Sequence, residues 1–161
     1  MSMEFPFIPN IKPNELNDLI LKNSNPSVFT YISIKSGYPI TIPVWTYHFD
    51  NKFYIFTGEN SQKAKTIRKG NTQVNLTVIN NNSFPAVYGL KVPYISISGD
   101  ASIVSWNENN RIAGIYISLL EKYNVPNQGS WIHELIQYWK DHPDEAWLIE
   151  IRPQKIFYFR E

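Results

Sequence analysis

No cysteine occurs among the 161 residues, which removes disulfides, thiolate metal ligands and a cysteine nucleophile together. Charge of either sign is scarce as well. Lys and Arg total 15 against 14 Asp and Glu, a net of +1, and charged residues make up 18% of the chain, below the roughly one quarter of ordinary soluble domains. With no cationic excess, no global field draws the chain to nucleic acid or to an anionic membrane surface. No apolar run approaches the ~20 residues of a membrane-spanning helix. The opening Met1–Pro13 lacks the basic-then-apolar order of a signal peptide. The expectation is a cytoplasmic protein with neither a nucleic-acid nor a membrane partner. Phosphate-binding loops, the Gly-x-Gly-x-x-Gly fingerprint and the Gly-x-Ser-x-Gly elbow are all missing. His48, His133 and His142 share no metal-ligand spacing and read as surface or internally satisfied histidines.

What the chain has in excess is aromatic surface, 15% of residues within a hydrophobic share of 43%. The length fits one domain over residues 1–161 with a substantial core. That much aromatic surface points to an oligomer or a ligand pocket.

Hydrophobic periodicity gives the element order. Pro13–Asn23 reads as a short amphipathic helix carrying Leu16, Leu19 and Ile20 on one face. Ser27–Lys35 reads as a strand with two largely apolar faces, buried on both sides or set in a barrel wall that meets a partner. Pro39–Phe49 and Lys52–Thr57 flank Asp50-Asn51 and predict an antiparallel hairpin. Pro43 marks an edge or a bulge in the first of these strands. Asn60–Lys69 is helical, with Gly70 as its stop. Thr72–Asn80 alternates Val74, Leu76 and Val78 against polar neighbours as a half-buried strand. A loop follows to about Lys91, and Val92–Trp106 is a long strand kinked at Gly99-Asp100.

Two helices are then inserted, over approximately 107–141. Asn107–Tyr123 carries a stripe of Ile112, Ile115, Tyr116, Leu119 and Leu120, and Ser130–Asp141 carries one of Trp131, Leu135, Tyr138 and Trp139. Ala146–Ile151 and Lys155–Arg160 close the chain as two strands joined at Arg152-Pro153-Gln154. Short antiparallel strands with helices inserted at the turns predict a mainly β, α+β architecture, a small closed or split barrel.

The stretch Gly37–Leu76 is where chemistry concentrates. A strand ending in Thr57-Gly58 empties into the basic helix Ser61–Lys69, so free backbone N–H groups and positive charge coincide, a combination suited to a phosphate. On a helical wheel Lys65, Arg68 and Lys69 share the solvent side with Ser61, whereas Ala64 and Ile67 mark the buried side. Lys63 falls beside Ile67. A lysine in the first turn opposes the helix dipole unless an anion sits there. The plainer reading is that Lys63 reaches water, or meets a carboxylate such as Glu59. Thr57 and Ser61 flank the same turn, and Ser61 could equally be a simple N-cap.

These residues carry a resemblance. Thr30-Tyr31-Ile32, Gly37-x-Pro39-x-x-x-Pro43-x-Trp45, Phe53-Tyr54-Ile55-Phe56-Thr57, Ser61-Gln62-Lys63, Ile67-Arg68 and Asn71 occur in the order of the pyridoxamine 5′-phosphate oxidase-like FMN-binding split-barrel superfamily. Gly99 and Ile151-x-Pro153-x-Lys155-Ile156 fit its later strands. The resemblance implies an antiparallel split β-barrel and a homodimer with FMN between its subunits. It places Ile42, Pro43, Val44 and Trp45 along the flavin ring, and Thr57, Ser61 and Lys63 on its phosphate. It further implies a flavin-dependent oxidoreductase acting on a small molecule. Branches that bind a deazaflavin coenzyme share the Gly-x-Pro-x-x-x-Pro-x-Trp pattern, and a flavin carrier without turnover is a further alternative. The vitamin B6 oxidases of the superfamily have an Arg at about the position of Ile42 and a Lys near Tyr47. Both are missing here, as is the Arg-containing substrate signature from Phe157–Glu161, so the resemblance stops short of pyridoxamine phosphate oxidase activity itself. Trp45 or Trp131 could wall the substrate side.

Overall fold

The computed structural model describes residues 27–79, 94–123 and 131–159. The helix expected over Pro13–Asn23 and most of the loop before Lys91 lie outside them. The described strands are β1 (Ser27–Ile32), β2 (Pro39–Val44), β3 (Thr46–Phe49), β4 (Lys52–Thr57), β5 (Gln73–Ile79), β6 (Tyr94–Ser105) and β7 (Trp147–Phe159). The helices are α1 (Gln62–Arg68), α2 (Asn110–Lys122) and α3 (Trp131–Asp141), with short 3-10 turns at Trp106–Glu108 and Pro143–Glu145. All seven strands form one sheet in the order β2-β1-β5-β6-β7-β4-β3, each neighbour antiparallel. This is the curled half-barrel of an α+β split barrel, the predicted class.

The order has one telling consequence. Strands β2 and β3 occupy opposite edges of the sheet, yet only Trp45 separates them in the chain. The sheet therefore curls until its two edges meet at Trp45. The single strand expected over Pro39–Phe49 is thus two strands, and Pro43 sits on an edge strand where a missing N–H costs no ladder bond. The Asp50-Asn51 turn is as expected. Both residues have left-handed φ (50° and 59°), which the two-residue turn between β3 and β4 requires.

The closing pair of expected strands is one continuous β7. Pro153 is tolerated because β4 pairs with β7 only through Ile151, so that side of the strand is free beyond it. The register between β6 and β7 slips between Ser98 and Gly99, which pair with Lys155 and Pro153 and leave Gln154 as the extra residue.

Two apolar cores result from the period-2 alternation of the strands. Phe29, Phe53, Ile55, Leu76, Ile97, Ile149 and Ile151 point into the barrel with Ile67 of α1. Tyr54, Val104 and Leu148 point out, under a cover of Ile112, Ile115, Tyr116, Leu119 and Leu120 from α2 and Ile136 from α3. The five α2 residues are the expected stripe, each contributing roughly 1.5–3 kcal/mol by burial. The α3 stripe is rotated from expectation. Ile136 is buried and Tyr138 exposed, its hydroxyl donating to Glu145 at 2.7 Å. On the other face of β1 Val28 and Thr30 are half-buried and Ile32 is exposed, as is Ile34 in the turn beyond it, so only one of the two faces is fully covered.

One charge is buried in this frame. Glu150 of β7 accepts from Lys52 Nζ at 3.0 Å, Tyr54 Oη at 3.0 Å and Arg152 Nε at 3.4 Å. Burial opposes its ionisation, but the bonds from Lys52 and Tyr54 and the nearby ammonium outweigh it and hold its pKa below the usual carboxylate value. Glu150→Ala should cost about 2–3 kcal/mol in chemical denaturation, because the Tyr54 hydroxyl, in a residue only 1% exposed, loses its acceptor. Adding Tyr54→Phe to that variant should restore part of the loss. A double variant as unstable as the single one plus Tyr54→Phe alone would contradict this coupling.

Candidate functional site

The site candidates fall into two groups, one where the sheet edges meet at Trp45 and one where β4 leads into α1. Trp45, 40% exposed, stacks on Tyr123 at the end of α2, with ring centroids 5.0 Å apart and planes 4° from parallel. Its other neighbour is Phe56 of β4, edge-on at 6.2 Å. Phe56 directly precedes Thr57 in β4, so Trp45 lies near the strand end that leads into α1, on the outer face opposite to the one that the Thr57 side chain takes. Tyr123 is pinned there, because its hydroxyl donates to Thr46 O at 3.2 Å and accepts from Thr46 N at 3.0 Å. The sequence reading misses this stack, although Tyr123 continues the α2 stripe three residues beyond Leu120.

Along β2, Ile42 and Val44 are half-buried and pack against the barrel core, while Pro43 is exposed. Ile42, and a position near Tyr47, are where the resemblance sets the missing basic residues of the vitamin B6 oxidases. Here Ile42 fills in against the barrel core and Tyr47 against the outer core, so packing has taken both positions.

Thr57 and Ser61 form the second group, where β4 leads into α1. Their hydroxyl oxygens are 2.7 Å apart, and Ser61 also accepts from Ala64 N at 3.2 Å as the N-cap of α1. Ser61 therefore does cap, and because Thr57 donates its one hydroxyl hydrogen to Gly58 O at 3.2 Å, Ser61 donates to Thr57 and an acceptor direction stays free there. Gly70 ends the helix at φ +100°, as expected of a C′ glycine.

The wheel reading of α1 holds in the structure. Lys65, Arg68 and Lys69 are exposed, Ala64 and Ile67 are buried, and Lys63 is half-buried. Burial pushes the Lys63 ammonium below its ordinary pKa. No ion pair or hydrogen bond reaches Lys63 among the described residues, so the expected alternative partner, Glu59, is not one. Glu59 instead offers its backbone carbonyl to Arg68 Nη1 at 2.6 Å, and the Arg68 guanidinium lies 4.9 Å over the Trp147 ring. Lys122 is a second perturbed amine, near Trp45. It donates to Thr46 O at 2.7 Å, and burial pushes its pKa down to about 8.

Among the described residues no group of acidic or histidine side chains could hold a metal ion, and no helix is long and apolar enough to cross a membrane. The Trp131 side chain lies outside the described residues.

No protein-family model and no curated protein matches the chain. Solved structures do. A conserved hypothetical protein from Mycobacterium tuberculosis superposes with a TM-score of 0.70 at 18% identity, covering 93% of this chain and 85% of its own. An F420 reductase gives 0.59 at 16% identity, over 87% of this chain and 94% of that one. A putative pyridoxamine 5′-phosphate oxidase from Listeria innocua gives 0.60 at 14%, over 92% and 98%. The neighbours are pyridoxamine 5′-phosphate oxidase-like split barrels, and the resemblance read from the sequence is borne out as a shared fold.

Proposed function

We propose that the chain binds FMN at the Trp45–Lys63 corner and works as a flavin-dependent oxidoreductase on a small molecule. Lys63 carries this reading: a half-buried ammonium without a partner among the described residues, two positions past Ser61, whose hydroxyl pairs with that of Thr57. Burying a cation costs desolvation that an opposite charge offsets, and a phosphate ester would supply that charge. Thr57 and Ser61 would hydrogen-bond the same phosphate, and Ile42, Pro43, Val44 and Trp45 would offer an apolar edge and an aromatic face to a planar ring. When bound, a flavin supplies the redox chemistry, so a catalytic acid or base from the chain is not required. The protein's part is to orient the ring, keep water from it and neutralise the phosphate. With Ile42 and Tyr47 taken by packing, Lys63 would carry most of that charge. We take the working form to be a homodimer, whose second copy would cover the aromatic surface that one copy leaves open.

A deazaflavin coenzyme is the second reading, favoured by the F420 reductase whose superposition equals that of the oxidase to within 0.01 in TM-score (0.59 against 0.60).

Purified protein should be yellow, release FMN on denaturation, and be reduced by NADH or NADPH and reoxidised by an acceptor. Lys63→Ala should weaken FMN about 10- to 100-fold in fluorescence-quench titration, the worth of a charge-assisted phosphate contact, without lowering the stability of the apoprotein. An unchanged affinity would remove Lys63 from the phosphate. A protein that neither FMN nor deazaflavin stabilises thermally would remove the cofactor.

A further inference from the structure

A cavity of about 320 Å³ opens between α1 and the turn joining β1 to β2. Ile34 and Lys35 line it from the turn, and Gln62, Lys65, Thr66 and Lys69 line it from the helix. Three of the six lining residues are lysines, and none of the three meets a carboxylate among the described residues. Lys65 and Lys69 stand one helical turn apart, a spacing at which like charges repel, and Lys35 faces them from the turn. Between them, Thr66 is 1% exposed and its hydroxyl has no hydrogen-bond partner among the described residues. A buried hydroxyl without a partner is uncommon in a native fold and calls for one. On a wheel the same lysines look like a plain solvated face. The turn of β1 onto β2, which ends at the left-handed Gly37 (φ +72°), makes that face one wall of a groove.

We propose that this groove is a second anion site, for a diphosphate group. Three ammonium groups suit the two to three negative charges of a diphosphate better than those of one carboxylate. The Gln62 amide supplies neutral hydrogen bonds, the Thr66 hydroxyl, sealed from solvent as it stands, adds one once it turns into the groove, and the volume lies at the small end of ligand pockets. Ile34, 41% exposed at the rim, offers an apolar contact to an organic group attached to the diphosphate. The site shares helix α1 with the corner proposed for FMN but not Thr57, Ser61 or Lys63, and does not rest on that reading.

The test is a titration of the whole protein with inorganic pyrophosphate, followed by amide resonances. Saturable shifts at Ile34, Lys35, Thr66 and Lys69 are expected, weakened at least tenfold in Lys65→Gln/Lys69→Gln and retained in Lys65→Arg/Lys69→Arg and in Lys63→Ala. All four lysines are at least partly exposed, so the variants should fold, which their melting curves check. Tighter binding of ADP with shifts at the Ile34 methyls would identify an organic diphosphate, and equal binding the inorganic ion. Shifts that do not saturate, that survive Lys65→Gln/Lys69→Gln, or that vanish in Lys63→Ala would each overturn the assignment.

Discussion

Gly99→Ala should destabilise the protein by about 3 kcal/mol or more, at the upper end of what overpacking costs. A Cβ built on Gly99 would lie 2.2 Å from the Arg152 carbonyl oxygen, 2.9 Å from its carbon and 3.1 Å from Pro153 Cα. These atoms are backbone of β7, itself paired to β6 on both sides of the bulge, so no rotamer change relieves the clash. Either the bulge reopens or β6 and β7 separate, and these two strands form the middle of the sheet. Gly58→Ala is the control, since nothing lies within 4 Å of its added Cβ and its φ is not in the left-handed region; its change should stay within about 0.5 kcal/mol. Urea denaturation of both variants decides the matter, and a Gly99→Ala protein as stable as the wild type would mean the bulge is not the fixed point that the register implies.

That bulge is legible in the sequence, and the reason is physical. A glycine followed by aspartate in a run that otherwise alternates Ile with Ser leaves few other roles, and Val74, Leu76 and Val78 alternate cleanly because one face of β5 fills the barrel. The α2 stripe is legible for the same reason, burial on one side only. What the sequence hides is set by distant partners. Nothing local breaks the run Pro39–Phe49 at Trp45; the break comes from β2 and β3 belonging to opposite edges. Pro153 has the look of a terminator, and is not one because β4 is too short to need its N–H.

The candidate site divides along the same line. The exposure order of the α1 lysines follows from helical geometry, so the spacing of residues along the chain is enough to set Lys63 apart from the other three basic side chains. The Trp45–Tyr123 stack joins residues 78 positions apart and needs the closed barrel to exist. The groove lined by Lys35 likewise needs the turn between β1 and β2 to fold back over α1, and no spacing in the sequence announces that.

Acid should destabilise the wild-type protein in two stages separated by residue, and His48 governs the first. Its ring sits 4.7 Å from that of Phe53, its cross-strand partner, and its Nε2 is buried without a hydrogen-bond partner among the described residues. Burial, with a smaller push from the Lys122 ammonium, lowers its pKa to about 4 from an ordinary 6.5. The unfolded chain therefore takes up a proton below pH 6.5 that the folded chain refuses until about pH 4. Stability is lost across that window as pH falls, at up to about 1.4 kcal/mol per pH unit and about 3 kcal/mol in all. Glu150 acts lower. Its pKa lies below the ordinary 4.5, so the stability that its charge contributes is complete above that value and disappears as pH falls through the depressed one. His48→Leu, apolar and of similar size, should flatten the denaturation midpoint between pH 6.5 and 5 and leave the decline below 4.5 in place. Glu150→Gln should do the reverse. A wild-type midpoint that does not move between pH 7 and 5 would mean that His48 takes up its proton equally in the folded and unfolded chain, and that burial does not hold its pKa down.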